Sequence, residues 1–219
     1  MVGALLGGMA GALDLTTIRR QKIIAIVRGA SEAELLDLVG ALIDGGISLI
    51  ELTADTPGIA PLLEMVVASY GDSVTIGAGT VTDMERLEAV SETGIEFIVT
   101  PNTDTDVIEA SRDRGFAIIP GALTPTEIHE AYRAGATAVK LFPAHLGGPG
   151  YVHSMGGPLA EVPLIPTGGV NLETARTYLD AGAVAVGIGS ALVDLEAAES
   201  GAYESITEQA RRLTDEVHA

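Results

Sequence analysis

Residues 22–53 read KIIAIVRGASEAELLDLVGALIDGGISLIELT, and the alternation in this stretch decides the fold class. KIIAIVR (22–28) is a short run of Ile and Val, residues that fit a pleated and buried surface. SEAELLDLVGALIDGG (31–46) has the apolar periodicity of an amphipathic helix. It opens on Ser31 with Glu34 three residues later, a capping box, and closes on Gly45-Gly46. SLIELT (48–53) returns to a strand-like run. Neither run alternates polar with apolar, so both are expected to be buried parallel strands.

The same unit recurs along the chain. The further runs are VTIGAGT (74–80), EFIVTP (96–101), FAIIP (116–120), AVKLF (138–142), PLIPT (163–167) and VAVGIG (184–189), with starts about 20 to 26 residues apart. Helical patterns lie between them, such as TPTEIHEAYRAGA (124–136), where Thr124-Pro125 puts Pro in the first turn. Eight βα units predict an α/β fold, a single (β/α)8 barrel over residues 1–219. An open doubly wound sheet is the competing arrangement. It usually carries G-x-G-x-x-G after its first strand, whereas the turn here reads VRGAS. Residues 194–219 are expected to form the closing helix and its approach, and residues 1–15 an N-terminal extension or extra helix.

Composition excludes several classes. Of 219 residues 47% are hydrophobic, which is material for a large core rather than a disordered chain. Cysteine is absent, which removes thiolate zinc sites and cysteine nucleophiles. No apolar stretch reaches the roughly 18 residues of a spanning helix. Thirty acids against twelve bases give a formal charge of −18, so neither nucleic acid nor an anionic membrane is an expected partner. The protein is expected to be cytoplasmic. Its acid excess and its two lysines, Lys22 and Lys140, point to a salt-rich cytosol, the alternative being an ordinary acidic protein. No cofactor or metal is expected, because the four histidines lack a ligand spacing: His129 and His218 fall on helical patterns, and His145 and His153 in or near a Gly-rich loop.

In a barrel, chemistry gathers at the C-terminal strand ends. In this chain those ends are Arg28, Glu51, Thr80, Pro101, Pro120, Lys140 with Phe142, Thr167-Gly168-Gly169, and Gly187 to Ser190. Lys140 is the most telling, because it stands within a strand expected to be buried on both faces. Burying an ammonium costs several kcal/mol unless it is paired or loses its proton. A free lysine near pKa 10.4 is neutral in roughly one molecule in a few thousand at pH 7, and desolvation favours that neutral, nucleophilic form. The competing role for Lys140 is a structural ion pair with Glu51. Glu51 is the natural acid/base partner of such an amine. PTGGVNLET (166–174) and VGIGSAL (186–192) are strand–Gly-turn–helix segments on the last two strands, the phosphate site common among barrels, or alternatively tight turns that need Gly for backbone reasons. Gly77-Ala78-Gly79-Thr80 permits close backbone approach and offers the Thr80 hydroxyl to a carboxylate.

Leu-Ile-Glu-Leu-Thr (49–53), Gly-Ala-Gly-Thr-Val (77–81), Val-Thr-Pro-Asn (99–102), Ile-Pro-Gly (119–121), Val-Lys-Leu-Phe-Pro-Ala (139–144), Pro-Thr-Gly-Gly-Val (166–170) and Gly-Ile-Gly-Ser (187–190) stand in register. In that order they resemble the 2-keto-3-deoxy-6-phosphogluconate (KDPG) aldolases and their 4-hydroxy-2-oxoglutarate and 6-phosphogalactonate relatives, over about Ile23 to Val193. The resemblance implies a class I aldolase that cleaves KDPG to pyruvate and glyceraldehyde 3-phosphate. It makes Lys140 the Schiff-base lysine and Glu51 the proton-transfer group. Thr80 would hold the pyruvyl carboxylate, Pro101 and Phe142 would shape the pocket, and Gly168, Gly169, Gly189 and Ser190 would hold the phosphate. Thr167 resembles the gluconate-type enzymes, since galactonate-type members tend to carry Val there. It also implies a homotrimer.

Two departures stand out. Many family members carry Arg where this chain has Asp55, and Arg28 is the candidate replacement for that cation. Family members often have Glu where this chain has His145. The rival readings are an imine-free phosphate-binding isomerase or synthase, and a non-catalytic sugar-phosphate binding module in which Lys140 is structural.

Overall fold

Among residues 13–219, the part described by this computed structural model, the apolar runs form nine short strands. They are β1 (Ile23–Val27), β2 (Leu49–Thr53), β3 (Thr75–Gly79), β4 (Phe97–Val99), β5 (Ala117–Ile119), β6 (Gly121–Ala122), β7 (Val139–Leu141), β8 (Leu164–Pro166) and β9 (Val186–Ile188). All pairings are parallel, as the doubly buried runs required. The strands lie in a curled six-stranded sheet of order β5-β4-β3-β2-β1-β9 and a three-stranded sheet of order β6-β7-β8. At one junction Thr167 bridges to Gly187, and the Val184 N–H donates to the Leu164 carbonyl at 3.0 Å. At the other, the Lys140 N–H donates to the Pro120 carbonyl at 2.8 Å.

The fifth run departs from expectation. FAIIP (116–120) was expected to be one strand, yet the chain pairs with β4 only to Ile119 and then turns to pair with β7. Pro120 brings no N–H to a ladder, so pairing breaks there. A Cβ on Gly121 would come within 2.3 Å of the Pro101 carbonyl carbon, so only glycine fits this close crossing.

Successive residues of a strand point to opposite faces, and two core clusters follow that rule. Ile50, Leu52, Ile76, Ile98, Val139, Leu141, Val186 and Ile188 pack outward against the helices. Ile24, Leu49, Phe97, Val99, Ala138, Ile165 and Ala185 pack inward. Glu51 lies two residues after Leu49, and Lys140 two after Ala138, so both point to the inner face, one layer nearer the strands' C-terminal ends. The opposite end is closed by helix Leu15–Gln21, whose Ile18 is fully buried in the inner cluster. Asp14 caps that helix by accepting from the Thr17 N–H at 2.7 Å.

Residues 1–12 of the expected N-terminal extension lie outside the described residues. Lys22, the lysine not used in the inner layer, donates to the Val217 carbonyl at 2.8 Å, at the end of helix Tyr203–His218. A cation there neutralises a helix C-terminus. The closing segment is two helices, Leu195–Glu199 and Tyr203–His218. The helix expected within PTGGVNLET (166–174) starts only at Ala175, because the Asn171 carboxamide oxygen accepts from the N–H groups of Glu173 and Thr174 and holds a turn. Among the described residues no helix is long and apolar enough to cross a membrane.

Candidate active site

A cavity of about 540 Å³ opens at the C-terminal strand ends. Arg28, Thr80, Pro101, Lys140, Phe142, Thr167, Gly168, Gly169, Gly189 and Ser190 all line it. Lys140, an amine, is only 6% exposed. Among the described residues no carboxylate lies within ion-pairing distance of it; its amine instead sits 5.3 Å from the centre of the Phe142 ring. The residue is therefore a buried amine beside a cavity, not half of a direct Lys140–Glu51 salt bridge.

Glu51 is not part of the cavity's lining, although its register partner Ile26 is. It is 1% exposed, and its Oε1 has no hydrogen-bond partner. Burial pushes its carboxyl above the ordinary 4.5, while the positive charges of Lys140 and then Arg28 pull it down without reversing the shift. Gly79 makes this burial possible. A Cβ on Gly79 would lie 1.7 Å from Glu51 Oε1, so any side chain there would evict the carboxylate. The close approach read from Gly77-Ala78-Gly79 is thus made by protein groups: Glu51 over Gly79, and the Phe97 ring over Gly77.

Thr80 follows with φ 58, a left-handed conformation rare for a β-branched residue. Such local strain gathers at functional sites. Its hydroxyl accepts from Arg28 Nη2 at 3.0 Å, and Arg28 Nη1 pairs with Asp55. Asp55 and Arg28, which the sequence set apart as one missing and one candidate cation, are direct partners at the cavity mouth.

Thr167 and the glycines after it form the opposite wall. A Cβ on Gly187 would lie 2.3 Å from Thr167 Oγ1, so the bare glycine makes room for that hydroxyl. Among the described residues the N–H groups of Gly168, Gly169 and Ser190 donate to no protein acceptor. Free amides of this kind, set in Gly turns, can cradle an anion.

Residues 15–209 match the protein family described as KDPG and KHG aldolase. The chain belongs to that family. It is 37% identical to 2-dehydro-3-deoxy-6-phosphogalactonate aldolase of Escherichia coli over 171 residues, 78% of this chain and 83% of the relative. It is 30% identical to 2-dehydro-3-deoxy-phosphogluconate aldolase of Haemophilus influenzae over 199 residues, 90% of this chain and 93% of the relative. Among solved structures, KDPG aldolase of Legionella pneumophila, with pyruvate captured at low pH as a covalent carbinolamine, superposes with a TM-score of 0.85 at 27% identity, covering 92% of this chain and 98% of that one. The protein is an aldolase, a carbon–carbon lyase.

In this family member the sequence left some of the lining unread. Ile26, Val170, Asn171 and Ala191 also face the cavity. Strand alternation gives Ile26, which is in register with Glu51. The Arg28–Asp55 pair joins residues 27 positions apart, for which no local pattern exists. His145 lies against Gly169, whereas His153 falls on the outer helix Gly148–Met155 and is exposed.

Proposed function

We propose that this aldolase cleaves 2-keto-3-deoxy-6-phosphogluconate to pyruvate and glyceraldehyde 3-phosphate through a Schiff base on Lys140. The observation that carries the reading is Lys140 itself: a buried amine with no carboxylate in ion-pairing range among the described residues, on the wall of the cavity that also holds the free Gly amides. The neutral amine attacks the C2 ketone. Glu51, acting through water, transfers the protons that turn the carbinolamine into an iminium with loss of water. Deprotonation of the C4 hydroxyl then breaks C3–C4, and the bonding pair flows into the iminium to give an enamine. The aldehyde phosphate leaves; protonation of the enamine at C3 and hydrolysis release pyruvate and restore the amine. A raised Glu51 pKa suits a group that must both give and take protons near neutral pH.

Thr80 and Arg28 receive the pyruvyl carboxylate, with Asp55 orienting the guanidinium. Pro101 and Phe142 bound the reacting carbons, and Thr167 faces the C4 end. Gly168, Gly169, Gly189 and Ser190 take the phosphoryl group. Supporting one closed (β/α)8 barrel domain are the hydrogen bonds at both sheet junctions. Family resemblance supports a homotrimer in the cytoplasm. A second substrate has a specific observation behind it: the relative at 37% identity is named for the galactonate epimer.

A coupled pyruvate-release assay with KDPG, its galactonate epimer and 4-hydroxy-2-oxoglutarate tests this directly. The highest kcat/KM is expected for KDPG. A higher value for either rival would overturn the substrate assignment, and no pyruvate from any would overturn the aldolase mechanism.

The charge of −18 supports a second proposal, adaptation to high salt. At about 1 M salt the screening length falls to roughly 3 Å, which removes most of the self-repulsion among surface acids. The thermal midpoint is expected to rise steadily between dilute and molar KCl; an unchanged or falling midpoint would contradict it.

A further inference from the structure

The turn after β7 presents an imidazole that the imine chemistry does not use. The Ala144 N–H donates to the Thr167 carbonyl at 2.8 Å, and the His145 N–H to the Gly168 carbonyl at 3.1 Å. These bonds carry the β7–β8 pairing past the strand ends and fasten the 3-10 turn Ala144–Leu146 to the Gly loop. The His145 side chain is thereby held against Gly169. A Cβ on that glycine would lie 2.7 Å from His145 Cβ, 3.3 Å from Cγ and 3.4 Å from Nδ1. Gly169 has φ 80, so neither its backbone nor the space beside it admits a side chain between the ring and the loop.

A phosphoryl group cradled by the backbone donors of this loop gains from a further donor in a protein of charge −18. The cavity lining holds two basic side chains, Lys140 and Arg28. Lys140 must stay an amine for imine formation, and Arg28 is engaged with Asp55 and Thr80. His145 is not part of the cavity lining, but its side chain packs against Gly169, which is, and it is exposed, so a group held by the free Gly168 and Gly169 amides can meet it. Imidazole offers an N–H donor in either tautomer, and two when protonated.

We propose that His145 is a phosphate-binding residue, donating to the substrate's phosphoryl oxygens next to the Gly169 amide and biasing the enzyme toward phosphorylated 2-keto acids. This deepens the aldolase reading and rests on it.

The test is steady-state kinetics on KDPG and on unphosphorylated 4-hydroxy-2-oxoglutarate, with inorganic phosphate as a competitive inhibitor. His145→Ala is expected to raise KM for KDPG and the phosphate inhibition constant about tenfold each, the size of one charge-assisted hydrogen bond at an exposed site. KM for 4-hydroxy-2-oxoglutarate should move less than about twofold, because that substrate has no phosphoryl group to lose. His145→Asn, which places an amide N–H near the position of Nδ1, should recover most of the loss. An equal change on both substrates means that His145 merely packs the loop, and no change on either means that it makes no contact; each overturns the proposal while leaving the aldolase reading intact. Wild-type enzyme that releases pyruvate from neither substrate would overturn that reading as well.

Discussion

Lys140→Ala is expected to leave no measurable cleavage, a fall in kcat/KM of about 10⁴-fold or more, equivalent to over 5 kcal/mol of transition-state stabilisation. The barrier is lowered by covalent capture of the ketone, and no other group lining the cavity is an amine. A companion variant, Lys140→Met, separates chemistry from architecture. It keeps the volume, cannot form an imine, and places an apolar chain where an amine is now buried without a paired carboxylate. Losing the contact with the Phe142 ring costs about 0.5–2 kcal/mol. Removing a buried polar amine that donates to no protein acceptor among the described residues gains about 1–3 kcal/mol. The gain wins, so Lys140→Met should be inactive yet melt a few degrees higher, about 2–4 °C per kcal/mol at this size. A clearly lower midpoint would mean that the ammonium is a structural element after all, which is the reading that favours a binding module.

The second large effect concerns Glu51. Glu51→Gln should lower kcat by about 10²–10⁴, the range for a positioned acid/base, while the fold survives an isosteric change. Its stability signature follows from the raised carboxyl. A folded-state pKa above the ordinary 4.5 means that folding favours the protonated form. That contribution is fully present below 4.5 and is lost as pH rises through the folded value. At neutral pH the wild-type chain therefore carries a penalty that Gln does not. The midpoint of Glu51→Gln should match wild type in acid, exceed it increasingly as pH rises, and level off once the buried carboxyl ionises. Thermal scans across pH check this. A wild-type chain more stable than the variant at neutral pH would make Glu51 a stabilising countercharge for Lys140, and unchanged kcat would remove it from the proton transfers.

Those two residues were legible in the sequence because strand physics is local. In Leu-Ile-Glu-Leu-Thr and Ala-Val-Lys-Leu-Phe, alternation alone puts Glu51 and Lys140 opposite the helix-facing residues, and charges there have few structural excuses. Caps were equally local: Thr124 accepts from the Glu127 N–H at 3.3 Å and Glu127 accepts from the Thr124 N–H at 2.7 Å. What stayed hidden was the identity of distant partners. Nothing in Gly-Ala-Gly-Thr says that its bare faces receive Phe97 and Glu51, or that Thr80 takes φ 58 while bonded to Arg28. Asp55 stands where many family members carry Arg, and the structure pairs it with Arg28 and so fixes an exposed cation at the mouth. The break at Pro120 was written in the sequence as a missing N–H. Its consequence, a strand that leaves β4 for β7, depends on Gly121 passing the Pro101 carbonyl, a contact across 20 residues.

The account rests on one nitrogen forming a covalent bond to a ketone, and reductive trapping reads that bond directly. Incubation with pyruvate and borohydride, followed by intact mass and peptide mapping, should show a single reduced pyruvyl adduct on Lys140 and none in Lys140→Met. An adduct confined to Lys22, or no adduct while pyruvate is still released from substrate, would contradict it.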